Sequence, residues 1–317
     1  MKIANYNKTC FLVSILFIFF SCNNKVIEKP EMTPEKWEVD IENLIKTLES
    51  KHINLYHSIS KDEVKLEVDS LLHQLPKLSN DEIFISLSKI IRSLDDSHTG
   101  IWAQSEFYKS YPLGLFVFDE AEIRVIRAPK NNPELLGAKL LRIDNTSLED
   151  ITRKVESVIQ CADNWYSKSE RLARYMRYAR ILKILGVSKN ESSTNFEFLL
   201  ENGSPKTVKL DAISEVEYSA SLGNPIVLES PFHFDKSLIG TPYLWYQTIE
   251  EHTTGYIYFA GYPNALQMRR FSVALSRDII QRGTKNIIID VRDNGGGNFF
   301  VGLELVKLLA IIDQIDW

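Results

Sequence analysis

Apolar residues recur at helical spacing through residues 34–95. Trp37, Ile41, Leu44, Ile45 and Leu48 form a first group, and Val64, Leu66, Val68, Leu71, Leu72 and Leu75 a second. Ile83, Phe84, Leu87, Ile90, Ile91 and Leu94 form a third. Three helices are predicted. Thr33 caps the first and Pro34 fits its opening turn; Ser60 starts the second; the stretch from Ser79 to Glu82 reads as a capping box for the third. The third pattern stops at Asp95-Asp96-Ser97-His98-Thr99-Gly100.

The period then changes. Leu113, Leu115 and Val117, then Ile123 and Val125, alternate as two strands around a turn at Asp119-Glu120. Residues 137–146 read as a strand and turn, 148–159 as a helix, and 165–185 as a further helical stretch ending at Gly186. Glu201-Asn202-Gly203 between two short apolar runs predicts a hairpin. Residues 211–244 show weak periodicity and read as loop with short strands. A strand over 254–259, a helix over 265–281, the apolar run Ile287-Ile288-Ile289 extended by Val291, a glycine loop and a helix over 299–312 complete the pattern. An unbroken run of this kind is expected in the interior of a parallel sheet. The predicted class is α+β and multidomain: a helical domain over 34–100, a β-rich insert over 108–160, a helical and β linker region over 161–250, and an α/β core over 251–317. That core carries too few strands to stand alone: further strands come from another chain, or the upstream segment supplies them, or the core is incomplete.

Composition narrows the chemistry. The net charge of -5 argues against a nucleic-acid partner. The cysteines are Cys10, Cys22 and Cys161, and Cys161 alone lies in the body, which excludes a disulfide framework and a multi-cysteine metal site. No cofactor is implied. Residues 11–20 are apolar apart from Ser14, follow Lys2 and Lys8, and end at Ser21-Cys22. The run is too short for a membrane span and suits a signal-peptide core. It resembles a bacterial lipoprotein leader, although Phe19 stands where such leaders usually have Leu. The resemblance implies a signal peptide over 1–21, a lipid on Cys22, a tether over 22–33, and a place in the bacterial cell envelope facing the periplasm or the exterior. An ordinary secreted protein and an uncleaved anchor are the alternatives.

The segment Asp290-Val291-Arg292-Asp293-Asn294-Gly295-Gly296-Gly297-Asn298 follows the last strand. Its glycines permit a sharp turn, and amides opening a helix suit an anion or a developing oxyanion. It lacks the glycine spacing of phosphate-binding and dinucleotide-binding loops. Asp290 and Arg292 are placed to pair with each other, and a tight turn for packing alone is the plainer alternative.

This segment resembles the central motif of the tail-specific, or C-terminal-processing, serine peptidases and the related tricorn core. There an apolar strand ends in Asp-Leu-Arg-x-Asn and a glycine cluster. The resemblance implies an oxyanion donor at Gly296 or Gly297, with Asp290, Arg292 and Asn294 as supporting residues. Asp96-Ser97-His98-Thr99 resembles the Asp-x-His-Thr that closes the helical domain of tricorn-like members, which implies His98 as general base and Ser97 as an orienting group. His52-Ile53-Asn54-Leu55-Tyr56 resembles a phrase of the same domain. Residues 112–160 resemble the PDZ-like insert, and the core is expected to be crotonase- or ClpP-like. The implied partners are a peptide or unfolded protein and, through the lipid, a membrane; oligomerisation is left open.

The family's nucleophilic serine lies beyond the glycine loop. Residues 298–317 contain no serine, and Ser97, Ser272 and Ser276 lie on other elements. The chain is therefore expected to be truncated and inactive, because a base needs a hydroxyl within hydrogen-bond reach. A non-catalytic, lipid-anchored peptide-binding protein is the second expectation. A metal-dependent hydrolase using His98 with Asp95 and Asp96 is a weaker third, because two adjacent carboxylates make a poor zinc site.

Overall fold

In the computed structural model the described residues are 32–119, 122–227, 240–249 and 253–310. The leader, and with it Cys22, lies outside them. The chain divides into two compact units, Met1–Ile226 and Val227–Trp317.

In the first unit, helix α1 (Pro34–Lys51) starts as its sequence predicts: the Thr33 hydroxyl accepts the Lys36 N–H at 3.4 Å, and Pro34 occupies the first turn. Helices α2 (Lys61–Gln74) and α3 (Asn80–Ser93) both open on full capping boxes, Ser60 with Glu63 and Ser79 with Glu82. Their apolar faces meet in one core that buries Ile41, Val64, Leu71, Ile83, Leu87 and Ile91.

Strands β1 (Gly114–Asp119), β2 (Glu122–Arg127), β3 (Lys139–Ile143) and β4 (Thr146–Ser147) lead into helix α4 (Leu148–Glu156). Helices α5 (Trp165–Tyr175) and α6 (Ala179–Ile184) follow, then the hairpin of β5 (Ser193–Leu199) and β6 (Pro205–Asp211). The predicted hairpin turn is present, with Gly203 at φ +80°. The sheet runs β1-β2-β3-β5-β6, with β4 beside β3, and every pairing is antiparallel. One face buries Leu115, Val125, Leu140, Ile143, Phe196 and Phe198 against Ile151 and Leu172 of the helices and Met176 just after α5.

Two expectations are corrected here. The described part of residues 161–250 is not a linker. Strands β5 and β6 extend the sheet of the insert, α5 and α6 pack on it, and the last part of the stretch joins the second unit. A strand's partner is chosen by packing, which local pattern does not report. Residues 211–244, expected as loop and strands, contain helix α7 (Glu215–Ser221), capped by a Ser214–Glu217 box. At two turns it is too short to develop a readable period.

In the second unit, β7 (Gly240–Thr241), β8 (Leu244–Ile249), β9 (Thr254–Phe259), helix α8 (Ala265–Arg282), β10 (Asn286–Asp290) and helix α9 (Phe299–Ala310) form a mixed sheet with two helices. The strand order is β10-β9-β8-β7; β9 and β10 are parallel and the other neighbours antiparallel. Asn264 caps α8, and Gly283 ends it in the left-handed conformation. Leu244, Ile257, Met268, Leu275, Val301 and Leu305 form the core.

Strand β10 differs from its sequence expectation. It does pair in parallel with β9, but among the described residues it is the edge strand. Ile288 and Ile289 remain 46% and 43% exposed, and Val291 falls outside the strand. Helix α9 is covered on the side of Val301 and Leu305, while Phe299, Phe300 and Val306 are exposed. Among the described residues no helix is long and apolar enough to cross a membrane.

Candidate active site

The residues singled out from the sequence fall into two loops, one in each unit. In the first unit, α3 ends at Leu94 and the chain turns sharply at Asp95, whose φ is +50°. This left-handed conformation is costly for a residue with a Cβ, and aspartate tolerates it better than most. The Asp95 carboxylate accepts the Arg92 guanidinium at 3.1 Å and lies 3.8 Å from the Lys168 ammonium of α5. Asp96 then folds back, and its Oδ1 accepts the His98 N–H at 2.8 Å. Burial alone would raise the Asp96 carboxyl. Hydrogen bonds from the His98 N–H, the Thr99 hydroxyl and His52 outweigh that and hold it below its ordinary value.

His98 itself is exposed. Its Nδ1 lies 2.9 Å from the Ser97 hydroxyl oxygen. A hydroxyl can bond that nitrogen in either sense. With Nδ1–H as donor to Ser97, Nε2 keeps its lone pair, the state a general base requires. The far end of the loop is anchored to the segment after α4. The Ile101 N–H donates to the Gln160 side chain at 2.8 Å, and the Cys161 thiol donates to the Thr99 carbonyl at 3.3 Å. A Cβ on Gly100 would sit 2.6 Å from Cys161 Sγ, so this close approach requires glycine. Burial pushes the Cys161 thiol up, away from a reactive thiolate.

In the second unit the glycine loop hangs from a buried carboxylate. Asp290 accepts the Arg292 Nε–H at 2.9 Å, a second guanidinium N–H at 2.7 Å and the Arg292 backbone N–H at 3.1 Å; the Tyr256 hydroxyl also donates to it. The Arg292 guanidinium, first among these, holds the Asp290 carboxyl well below the usual carboxylate range. Tyr258 donates to Asp293 at 2.7 Å, and that bond pushes the Tyr258 phenol up to about 12. The Asn294 side chain bridges the turn: its amide donates to the Phe259 carbonyl at 2.8 Å, and its oxygen accepts the Gly296 N–H at 2.8 Å. Of the three glycines, only Gly296 has a positive φ, +96°. Gly297 is required by proximity, since a Cβ there would lie 2.3 Å from the Tyr262 ring. Asn298 caps α9 through the Phe300 N–H at 3.0 Å.

These bonds separate the two candidate oxyanion donors. The Gly296 N–H is used inside the loop. Among the described residues no acceptor is recorded for the Gly297 N–H, so of the two candidates it is the one not spent inside the loop.

The depressed Asp290 carboxyl gives a pH signature. Its stabilising effect is full above the unfolded carboxylate value of about 4 and is lost as pH falls below it. Asp290→Asn is expected to be less stable than the wild type at neutral pH, with the difference shrinking below pH ~4. Urea midpoints taken across the acid range test this, and a constant difference would contradict it.

The chain shares its fold with CPAF. The structure of mature CPAF complexed with lactacystin aligns with a TM-score of 0.57 at 13% identity, over 86% of this chain and 59% of that one. Mature CPAF aligns with a TM-score of 0.55 at 14% identity, over 84% and 56%, and a mutant of CPAF with 0.53 at 14%, over 84% and 57%. The chain thus spans less than two thirds of CPAF, and at this identity the likeness is one of fold. No protein-family model matches the chain, and no curated protein does.

Within that fold, Asp96, Ser97 and His98 come together in the first unit, and Asp290, Arg292, Asn294, Gly296 and Gly297 in the second. Sequence reasoning singled out His52 and Cys161 without placing them at the first loop, and missed Gln160 beside them and Tyr256, Tyr258 and Tyr262 around the second. Alternation along 254–259 hinted that Tyr256 and Tyr258 share a face; nothing local pointed to the others. Among the described residues no three His, Cys, Asp or Glu side chains group to hold a metal ion.

Proposed function

We propose that this chain is of the tail-specific serine peptidase type, whose reaction is peptide-bond hydrolysis. His98 is the general base, Ser97 orients it through Nδ1, and the Gly297 N–H is the oxyanion donor on a loop braced by Asp290, Arg292 and Asn294. The carrying observation is the state of His98: an exposed residue, pinned at its backbone by Asp96 and in contact with Ser97 at Nδ1. The fold shared with CPAF, a serine peptidase of the tail-specific-protease fold, supports this reading. The second unit then corresponds to a crotonase- or ClpP-like core and the β1–β3 region to a PDZ-like insert. Residues 1–317 by themselves do not cleave peptides, because residues 298–317 offer no serine to the base. The leader carries the chain to the bacterial cell envelope, where a lipid on Cys22 holds it at a membrane facing the periplasm or the exterior. Cys22→Ser should then release it to the soluble fraction.

The test has two arms. The full chain, incubated with unstructured peptides and a fluorescent serine-directed probe, is expected to show neither cleavage nor labelling; activity that disappears in His98→Ala would overturn the inactivity. Nitrogen-15 NMR of His98 is expected to place the proton on Nδ1, and Ser97→Ala to shift it toward Nε2. An unchanged tautomer would remove Ser97 from the site.

A second reading, a lipid-anchored peptide-binding protein, is favoured by one feature. Strand β1 is the sheet's terminal strand, and it exposes Phe116 and Phe118 at 49% and 54%, in edge-to-face contact at 4.9 Å. An aromatic pair on an open strand edge suits strand addition by an extended peptide. Binding of the same peptides without cleavage, lost on Phe116→Ser, would favour it.

A further inference from the structure

The His98 loop does not hold its shape alone. Its central carboxylate, Asp96, has one oxygen on the His98 N–H at 2.8 Å, while the other lies 3.4 Å from Nε2 of His52, the residue that ends α1. Both side chains are partly buried, at 26% and 17% exposure, so the contact is partly shielded from water. We propose that His52 is a positioning residue for His98: its Nε2–H holds the Asp96 carboxylate against the His98 backbone, and so fixes the direction in which the loop presents the imidazole. This rests on the reading of His98 as the base.

The tautomer of the neutral His52 ring is set by its other nitrogen. The Asn54 N–H donates to His52 Nδ1 at 3.1 Å, so in the neutral ring the proton sits on Nε2, toward Asp96. The same peptide orders its neighbour. The Asn54 carbonyl lies 3.1 Å from His57 Nδ1, which must therefore carry hydrogen, and the two imidazoles lie parallel within 4°, their centroids 6.4 Å apart. The turn after α1 is thus built to hold the His52 ring in one tautomer and one orientation.

The two ends of this link are differently anchored. His52 is fixed by the helix, its N–H donating to the Leu48 carbonyl at 2.9 Å. Asp96 lies in a loop, where it gathers donors from His98, Thr99 and His52. The other charged or titratable groups nearby are accounted for: Asp95 is engaged by Arg92 and Lys168, and the Cys161 thiol, from the segment after α4, senses both Asp96 and Arg171 of α5. A carboxylate that loses one of three donors in a half-buried site binds the remaining ones less rigidly. The 3.4 Å separation is longer than a strong N–H···O bond, so this contact steers the carboxylate more than it stabilises the fold.

The test compares His52→Leu, which removes the donor, with His52→Gln, which keeps an N–H of similar reach. In the full chain labelled with nitrogen-15 and carbon-13, the Asp96 carboxyl titration, the His98 amide exchange rate and the thermal midpoint are followed together. His52→Leu is expected to raise the Asp96 pKa and to speed His98 amide exchange by about tenfold; His52→Gln is expected to restore both. If the two variants change both readouts equally, or neither does, the proposal fails. Should His52→Leu not fold, the wild type still decides: a proton on His52 Nδ1 instead of Nε2 overturns the link. None of these readouts uses peptide cleavage or the His98 tautomer, so a failure here is distinct from a failure of the peptidase reading.

Discussion

Replacing Phe196 with alanine is expected to destabilise the first unit by about 3–5 kcal/mol. The side chain is fully buried on β5, a strand with partners on both sides; Ile143 of β3 and Val208 of β6 lie directly across from it. Its ring meets Tyr111 edge-to-face at 5.1 Å and lies parallel to Phe198 at 6.2 Å. Truncation therefore opens a cavity against rings that cannot easily collapse into it. Tyr111 is tied by its hydroxyl to Thr194 at 2.9 Å, and Phe198 is held by its own strand. With a urea slope of about 1–3 kcal/mol/M, the unfolding midpoint of this unit should fall by more than ~1 M. Amide exchange in β5 keeps the readout local, because a chain of two units need not unfold in one step. A midpoint change under ~0.5 M would show that the centre of this sheet packs more loosely than its burial implies.

Gly297→Ala is expected to cost the second unit about 1–3 kcal/mol and to shift the glycine loop. The added methyl would lie 2.3, 2.5 and 3.0 Å from Cδ2, Cγ and Cβ of Tyr262. A χ1 change could swing Cδ2 and Cγ away, but it would take the ring off its neighbour, and Cβ would still lie at 3.0 Å. The ring itself packs on Phe259 at 4.8 Å. Adding Tyr262→Ala should recover part of the loss, with a coupling of about 0.5–3 kcal/mol in the double-mutant cycle. Gly295→Ala is the control: nothing lies within 4 Å of its Cβ position and its φ is not positive, so its cost should stay within ~0.5 kcal/mol. Equal effects at the two glycines would mean that the loop needs backbone freedom generally and not the close approach at Gly297. Because Gly297 carries the amide not spent inside the loop, the same variant should also displace the proposed oxyanion donor.

The features legible in the sequence are those whose partners lie within a turn of each other. Thr33 with Pro34 and Ser79 with Glu82 announce helix starts because a cap bonds two or three residues along the chain. Gly203 announces a hairpin because the turn itself requires φ above zero. Asp290 and Arg292 pair across a single residue, so their strand-end placement was enough to bring them together. The short helix α7 carried the same kind of signal in Ser214 and Glu217, but its apolar pattern was too brief to be distinguished from loop.

The sequence by itself thus determined the local units of this protein: the helical region, the β hairpins, the strand–helix–strand unit and the two loops bearing His98 and the glycines. Only the tertiary structure decided how those units are held. It joined β5 and β6 to the sheet of β1–β3, left Ile288 and Ile289 exposed on β10, set His52 beside Asp96, and spent the Gly296 N–H, not that of Gly297, on Asn294. The reason is one of range. Caps, turns and neighbouring ion pairs depend on backbone geometry over a few residues, which each residue type biases directly. Strand partners and contacts between distant side chains depend on which surfaces pack together, and that is settled by burial over the whole unit.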